Sequence, residues 1–110
     1  MDSRDIKNVK KILEHAQSII DETTSIKNET EFYNDNNVSK AALFDLLQIG
    51  EISKNLSQAY LHESSLPWKD IYNLRNRIVH GYADVDYIII WQTIQLDIPE
   101  LIKDLTKAIK

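Results

Sequence analysis

The residues best equipped for chemistry stand in one stretch, Arg75-Asn76-Arg77-Ile78-Val79-His80-Gly81-Tyr82, which crowds guanidinium, amide, imidazole and phenol groups together. His80 carries the one side chain here whose unperturbed pKa, about 6.5, lets it take and return protons near neutral pH. Arg75 offers a planar guanidinium that can grip a phosphodiester through two parallel hydrogen bonds, which a lysine cannot copy. A base beside a fixed cation suits RNA transesterification: the base removes the 2′-hydroxyl proton while the cation steadies the charge developing on phosphorus. Of the three arginines in the chain, two fall in this stretch, so Arg77 is a further candidate for substrate contact.

Spacing limits how these groups can cooperate. Asn76 and His80 are four apart and share a helical face, whereas Arg75 and His80 are five apart and diverge by about 140° on an ideal helix. Arg75 must therefore reach around its helix, or the pair must meet across two chains. If Gly81 lies just past the helix end, His80 sits at the negative end of the helix dipole, which favours the imidazolium. An exposed polar helix end with one histidine is also what an ordinary solvated surface looks like, so residue types alone do not establish catalysis.

The elements that must position this stretch read as helices throughout. Two glycines and two prolines in 110 residues, with apolar residues at three- and four-residue steps, leave no convincing strand. A first helix is expected from Asp2 or Ser3 to about Glu22, with Ile6, Val9, Leu13, Ala16 and Ile20 on its core face. A polar, mobile stretch over residues 23–37, with a short turn around Phe32 and Tyr33, separates it from a second helix. That helix starts near Ser39 and fades over residues 60–63, carrying Ala42, Leu43, Leu46, Leu47, Ile49, Ile52 and Leu56. Gly50 interrupts it at a cost of about 1 kcal/mol relative to alanine, which is read as close approach of a neighbouring helix. A third helix begins at Pro67, capped by Ser65 or Leu66, buries Trp68, Ile71, Leu74 and Ile78, and ends at Gly81. Asp84 or Asp86 caps a fourth through Tyr87, Ile88, Trp91, Ile94 and Ile98, which Pro99 kinks or restarts as Leu101, Ile102, Leu105 and Ile109.

Other candidates have plainer explanations. Asp84 and Asp86 beside His80 lack further metal ligands, and helix capping accounts for either, so no metal site is expected. His15 and His62 are read as surface residues, Trp68 and Trp91 as core anchors, and Tyr33, Tyr60, Tyr72 and Tyr87 as packing. Lys7, Lys10 and Lys11 alternate with Asp5 and Glu14 as a solvated face. Lys103, Lys107 and Lys110 match the preference for cations at a helix C-terminus.

Composition bounds the rest. The length suits one domain able to bury a core without crosslinks. The absence of cysteine excludes disulfides and thiolate metal sites and fits a reducing cytoplasm. The longest apolar run, Ile88 to Trp91, is far too short to span a membrane, and the polar start does not read as a signal peptide. Thirteen basic against seventeen acidic residues leave a formal charge of −4, which argues mildly against broad affinity for nucleic acid.

The stretch at 75–82 resembles the Arg-x4-His motif of HEPN (higher eukaryotes and prokaryotes nucleotide-binding) domains, in the Arg-x4-His-x-Tyr form of HepT-like toxins. Its residues here are Arg75, His80 and Tyr82. The flanks strengthen it in order: Asp5-Ile6 and Ile12-Leu13, then Leu47-Gln48-Ile49-Gly50-Glu51 and Pro67-Trp68, then Val85-Asp86, Trp91 and Pro99-Glu100-Leu101. The resemblance implies an all-α, HEPN-type up-and-down bundle of four or five helices, with residues 1–110 as one domain. It implies a homodimer whose two motifs face each other across the interface.

It also implies a metal-independent, cofactor-free endoribonuclease, the toxin half of a toxin–antitoxin pair. Arg75 and His80 correspond to the catalytic pair and Asn76 to the residue that orients the site, and the product is a 2′,3′-cyclic phosphate. The implied partner is a minimal nucleotidyltransferase antitoxin of the MntA type, which adds AMP to Tyr82. Phosphate charge and bulk two residues from His80 would repel the RNA backbone and fill the site. Unmodified, Tyr82 would pack or stack a base. The rival from another class is a non-catalytic nucleotide-binding or accessory subunit that docks a nucleotidyltransferase, favoured by the negative charge and few arginines.

Overall fold

Asp2 starts the first helix: its carboxylate accepts the Asp5 backbone N–H at 2.8 Å, satisfying one of the donors that a helix start leaves open. The computed structural model describes residues 1–81 and 85–110, and helix α1 runs Ser3–Thr23. Its fully buried positions are Val9, Ile12, Ala16 and Ile19, with Ile6, Leu13 and Ile20 only half-buried. The stripe is turned from the expected one because α1 is packed by two helices at once.

The polar stretch is not a simple loop. Asn28 caps a short helix α2, Glu29–Asn34, and Phe32 on it is wholly buried, which contributes on the order of 2 kcal/mol of apolar transfer. Its ring lies 5.4 Å from that of Trp91. Asp35 then caps α3, Asn36–Ser53, three residues before the expected start. This helix also ends earlier than expected. Ser57 caps a separate helix α4, Gln58–Glu63, by accepting the Tyr60 N–H.

A buried carboxylate explains that break. Asp5, read as part of a solvated face, is 1 % exposed and accepts the Ser57 N–H at 2.8 Å and the Ser57 hydroxyl at 2.6 Å. It ties the start of α1 to the start of α4. Burial raises its pKa, but the Ser57 hydrogen bonds, with smaller help from the hydrogen bond at Asp2 and the N-terminal charge, together hold the carboxyl below its ordinary value of 3.8.

Helix α5 spans Trp68–His80, one residue after the expected Pro67, and neither Ser65 nor Leu66 caps it. Ser64 instead accepts the Leu66 N–H and the Trp68 indole N–H. Gly81 closes α5 by donating its N–H to Arg77 O at 2.9 Å. Its φ of −142° is one that any residue can adopt. Asp86 caps α6, Tyr87–Gln92, while Asp84 lies outside the described residues.

Helix α6 passes through a π-helical turn, Thr93–Asp97, into α7, Ile98–Ala108. Pro99 supplies the reason. It has no N–H to give a carbonyl one turn back, and the Ile98 N–H reaches five residues back to Thr93 O. The run neither stops nor restarts; it absorbs one extra residue.

Four long helical runs with α2 and α4 between them make an all-α bundle, and no strand occurs among the described residues. Helix α3 lies at its centre between α1 and α5, while α7 packs on α1 and α2 bridges α3 and α6. Helix α5, which carries the chemistry, is thus an edge helix seated on α3.

Candidate functional site

The seam between α3 and α5 sets the position of Arg75. Gly50 lies where an added Cβ would stand 2.8 Å from Arg75 Cγ and closer still to Arg75 Cβ. The close approach read from that glycine is therefore real, and the partner is the motif arginine itself. The next residue on α3, Glu51, accepts a short hydrogen bond from Arg75 Nε, and Arg75 Nη1 donates to Asn76 Oδ1 at 2.8 Å. The Arg75 side chain is 17 % exposed. With Nε and Nη1 engaged, Nη2 makes no hydrogen bond to a described residue. A guanidinium held on two sides with a free edge is arranged to receive an oxyanion without first reorganising.

His80 is the last residue of α5 and is exposed. It borders an open cleft of about 610 Å³ shared with Asn76, Arg77, Asp86 and the apolar side chains of Leu74, Ile78, Val85, Ile89 and Ile90. Arg75 does not line this cleft. Within one chain the fold does not bring Arg75 and His80 together: the first faces α3, the second the gap towards α6, as the helical wheel requires. Asn76 alone touches both sides, bonded to Arg75 and lining the cleft. Arg77 is exposed and borders the cleft too. Tyr82 lies outside the described residues. Among them, no group of three His, Asp or Glu side chains is placed to hold a metal ion, and no helix is long and apolar enough to cross a membrane.

Two sequence readings need correction. His15 is not a plain surface residue: its Nδ1 lies 2.8 Å from Oδ1 of buried Asp45, and its ring meets Phe44 edge-on. Tyr33, read as packing, is 59 % exposed and covers only one edge of Tyr87, ring centroids 5.0 Å apart. Tyr60 does pack, buried against Trp68.

Glu51 is the site residue that spacing could not single out. It is 24 positions from Arg75, so no local periodicity joins them. Gly50 marked where a neighbouring helix comes close, but successive helix residues are about 100° apart, so it did not single out Glu51 as the partner.

A helical bundle with an Arg-x4-His motif ending one edge helix, its arginine anchored and its histidine at an open cleft, defines a HEPN domain. The profile of the family described as ribonuclease HepT-like matches residues 12–108, and the chain belongs to that family. It is 36 % identical to "Putative RNase MJ1216" of Methanocaldococcus jannaschii, over 100 % of this chain and 92 % of that protein. It is 35 % identical to "Putative RNase TTE0752" of Caldanaerobacter subterraneus, over 90 % and 88 %. It is 33 % identical to "Probable ribonuclease HepT" of Thermococcus cleftensis, over 78 % and 79 %. No solved structure matches it.

Proposed function

We propose that this chain is an endoribonuclease that cleaves RNA by attack of a 2′-hydroxyl on the adjacent phosphorus, and that it works as a homodimer. His80 takes the 2′-hydroxyl proton, the new O–P bond forms as the 5′-oxygen leaves with a returned proton, and a 2′,3′-cyclic phosphate remains. Arg75 clamps the phosphoryl oxygens through its free edge, Asn76 orients Arg75 by accepting its Nη1 hydrogen bond, and Arg77 contacts the backbone nearby. No step in this scheme calls for a metal or a cofactor.

The observation that carries the reading is the anchored guanidinium with one edge left open, joined through Asn76 to the cleft that His80 borders. The divergence of Arg75 and His80 on α5 supports the dimer, because a two-fold axis can set the arginine of one copy beside the histidine of the other.

Mixing tests both parts. His80→Ala and Arg75→Ala should each abolish cleavage while retaining the helical circular dichroism spectrum. Remixed as heterodimers, they should regain roughly a quarter of wild-type activity, because half the dimers carry one intact composite site. No recovery would place each site within one chain, undiminished cleavage by His80→Ala would end its assignment as the base, and a wild-type chain that cleaves no RNA would favour the accessory-subunit role.

The biological setting we infer is that of a cytoplasmic toxin restrained by an MntA-type nucleotidyltransferase antitoxin that adds AMP to Tyr82. Phosphate charge so close to His80 would oppose an RNA backbone in the cleft. Intact mass after co-expression with such an enzyme should rise by multiples of AMP, and Tyr82→Phe should erase the rise.

A further inference from the structure

On the α3–α5 seam, one turn from Arg75, a second cation shares an aromatic ring with it. Tyr72 precedes Arg75 by three residues on α5, so the two lie on neighbouring parts of one face, and the Arg75 Cζ stands 5.9 Å from the Tyr72 ring centroid. Lys54, the residue that closes α3 three positions after Glu51, sets its Nζ 5.9 Å from the same centroid. Both distances are within the range in which a ring quadrupole attracts a cation. The two charges are therefore no farther apart than twice that distance, close enough to hold phosphates near one another on one strand. We propose that Lys54, held beside Arg75 by the Tyr72 ring, binds a second phosphate of the RNA next to the one gripped by Arg75.

The inference rests on the ribonuclease reading and adds to it a direction for the RNA, across the α3–α5 seam. Charge favours this path. Lys54 forms no ion pair with a carboxylate among the described residues and is exposed, while Glu51 faces Arg75. The trio of Glu51, Lys54 and Arg75 thus has one net positive charge in a chain whose formal charge is −4. Tyr72 is half-buried and serves as a positioning residue through its ring, which phenylalanine would reproduce. Lys54 has a binding role only and touches no reacting atom.

The test is fluorescence anisotropy of a labelled single-stranded RNA with the non-cleaving His80→Ala chain as parent, repeated over a range of salt. Adding Lys54→Ala should weaken binding several-fold and make the slope of log K against log salt shallower by about 0.7, the value of one single-strand phosphate contact. Lys54→Arg should keep the slope, Tyr72→Leu should lose part of it, and Tyr72→Phe should restore it. An unchanged slope in Lys54→Ala, with the parent still binding, would overturn this inference alone. Failure of the parent to bind RNA in a salt-dependent way would overturn it together with the ribonuclease reading.

Discussion

Replacing Gly50 by alanine tests whether the approach of α3 to α5 sets the geometry of Arg75. The new methyl would stand 2.8 Å from Arg75 Cγ, nearer still to Arg75 Cβ, and 3.5 Å from Ile71 O. Cβ is fixed to the α5 backbone, so no rotamer change relieves the clash and the helices must part by roughly 1 Å. Overpacking of this kind costs about 1–3 kcal/mol, and the better helix propensity of alanine returns about 1 kcal/mol. The net loss is then up to about 2 kcal/mol, a fall in Tm of as much as ~8 °C for a domain of this size. A protein stable by 5 kcal/mol or more stays almost wholly folded after such a loss. Cleavage suffers more, because a misplacement of about 1 Å at a charge-stabilising group can cost on the order of 100-fold in rate. The assay is kcat/KM on a short RNA well below the melting temperature, beside a denaturant titration. Gly81→Ala is the control: among the described residues an added Cβ there meets only Arg77 O, at 3.3 Å, and little loss of stability is expected. Wild-type rate and wild-type melting in Gly50→Ala would refute the claim that this seam positions Arg75.

Three further outcomes follow from the same geometry. Glu51→Gln keeps an acceptor near Arg75 Nε but removes its charge; since hydrogen bonds to charged groups contribute about 1.5–3 kcal/mol, kcat/KM should fall about ten- to 100-fold with folding intact, read from cleavage kinetics. Burial first, then the charge and hydrogen bonding of Asp45 and the charge of Asp21, raise the pKa of Glu22 above its ordinary 4.5, and its Oε2 is buried without a partner among the described residues. A raised carboxyl stabilises the fold at low pH and loses that contribution as pH climbs from 4.5 through the folded value, so Glu22→Gln should flatten this decline in urea titrations across pH and be the more stable protein at pH 7. Asp5 has the opposite sign: its depressed pKa contributes stability above 3.8 that is lost as pH falls through the lower folded value, and Asp5→Asn should cost on the order of 2 kcal/mol at pH 7, with the gap to wild type closing in acid.

Much of this molecule was legible along the chain because it depends on neighbours in sequence. The 3.6-residue period marks the long helices, Asp2 and Asp86 cap by accepting backbone N–H groups two or three residues on, and the 140° between Arg75 and His80 is a property of any helix. Even the role of Gly50 could be read, since a missing side chain inside a helix asks for a neighbour. The motif and its flanks carried the family.

What the tertiary structure alone decided are pairings between groups far apart in the chain. Asp5 looks solvated beside Lys7 and Glu14 until Ser57, 52 positions later, supplies two donors that make its burial affordable. His15 looks exposed until Asp45 meets it. Pro99 announces a disturbance, but the packing of Ile94, Ile98 and Leu101 into one core is met by a π turn rather than a break. Glu51 and Lys54 become partners of the motif only because α3 lies against α5. Local order encodes periodicity and caps; a contact across tens of residues depends on which helix faces are buried together, and that is settled only when the bundle closes.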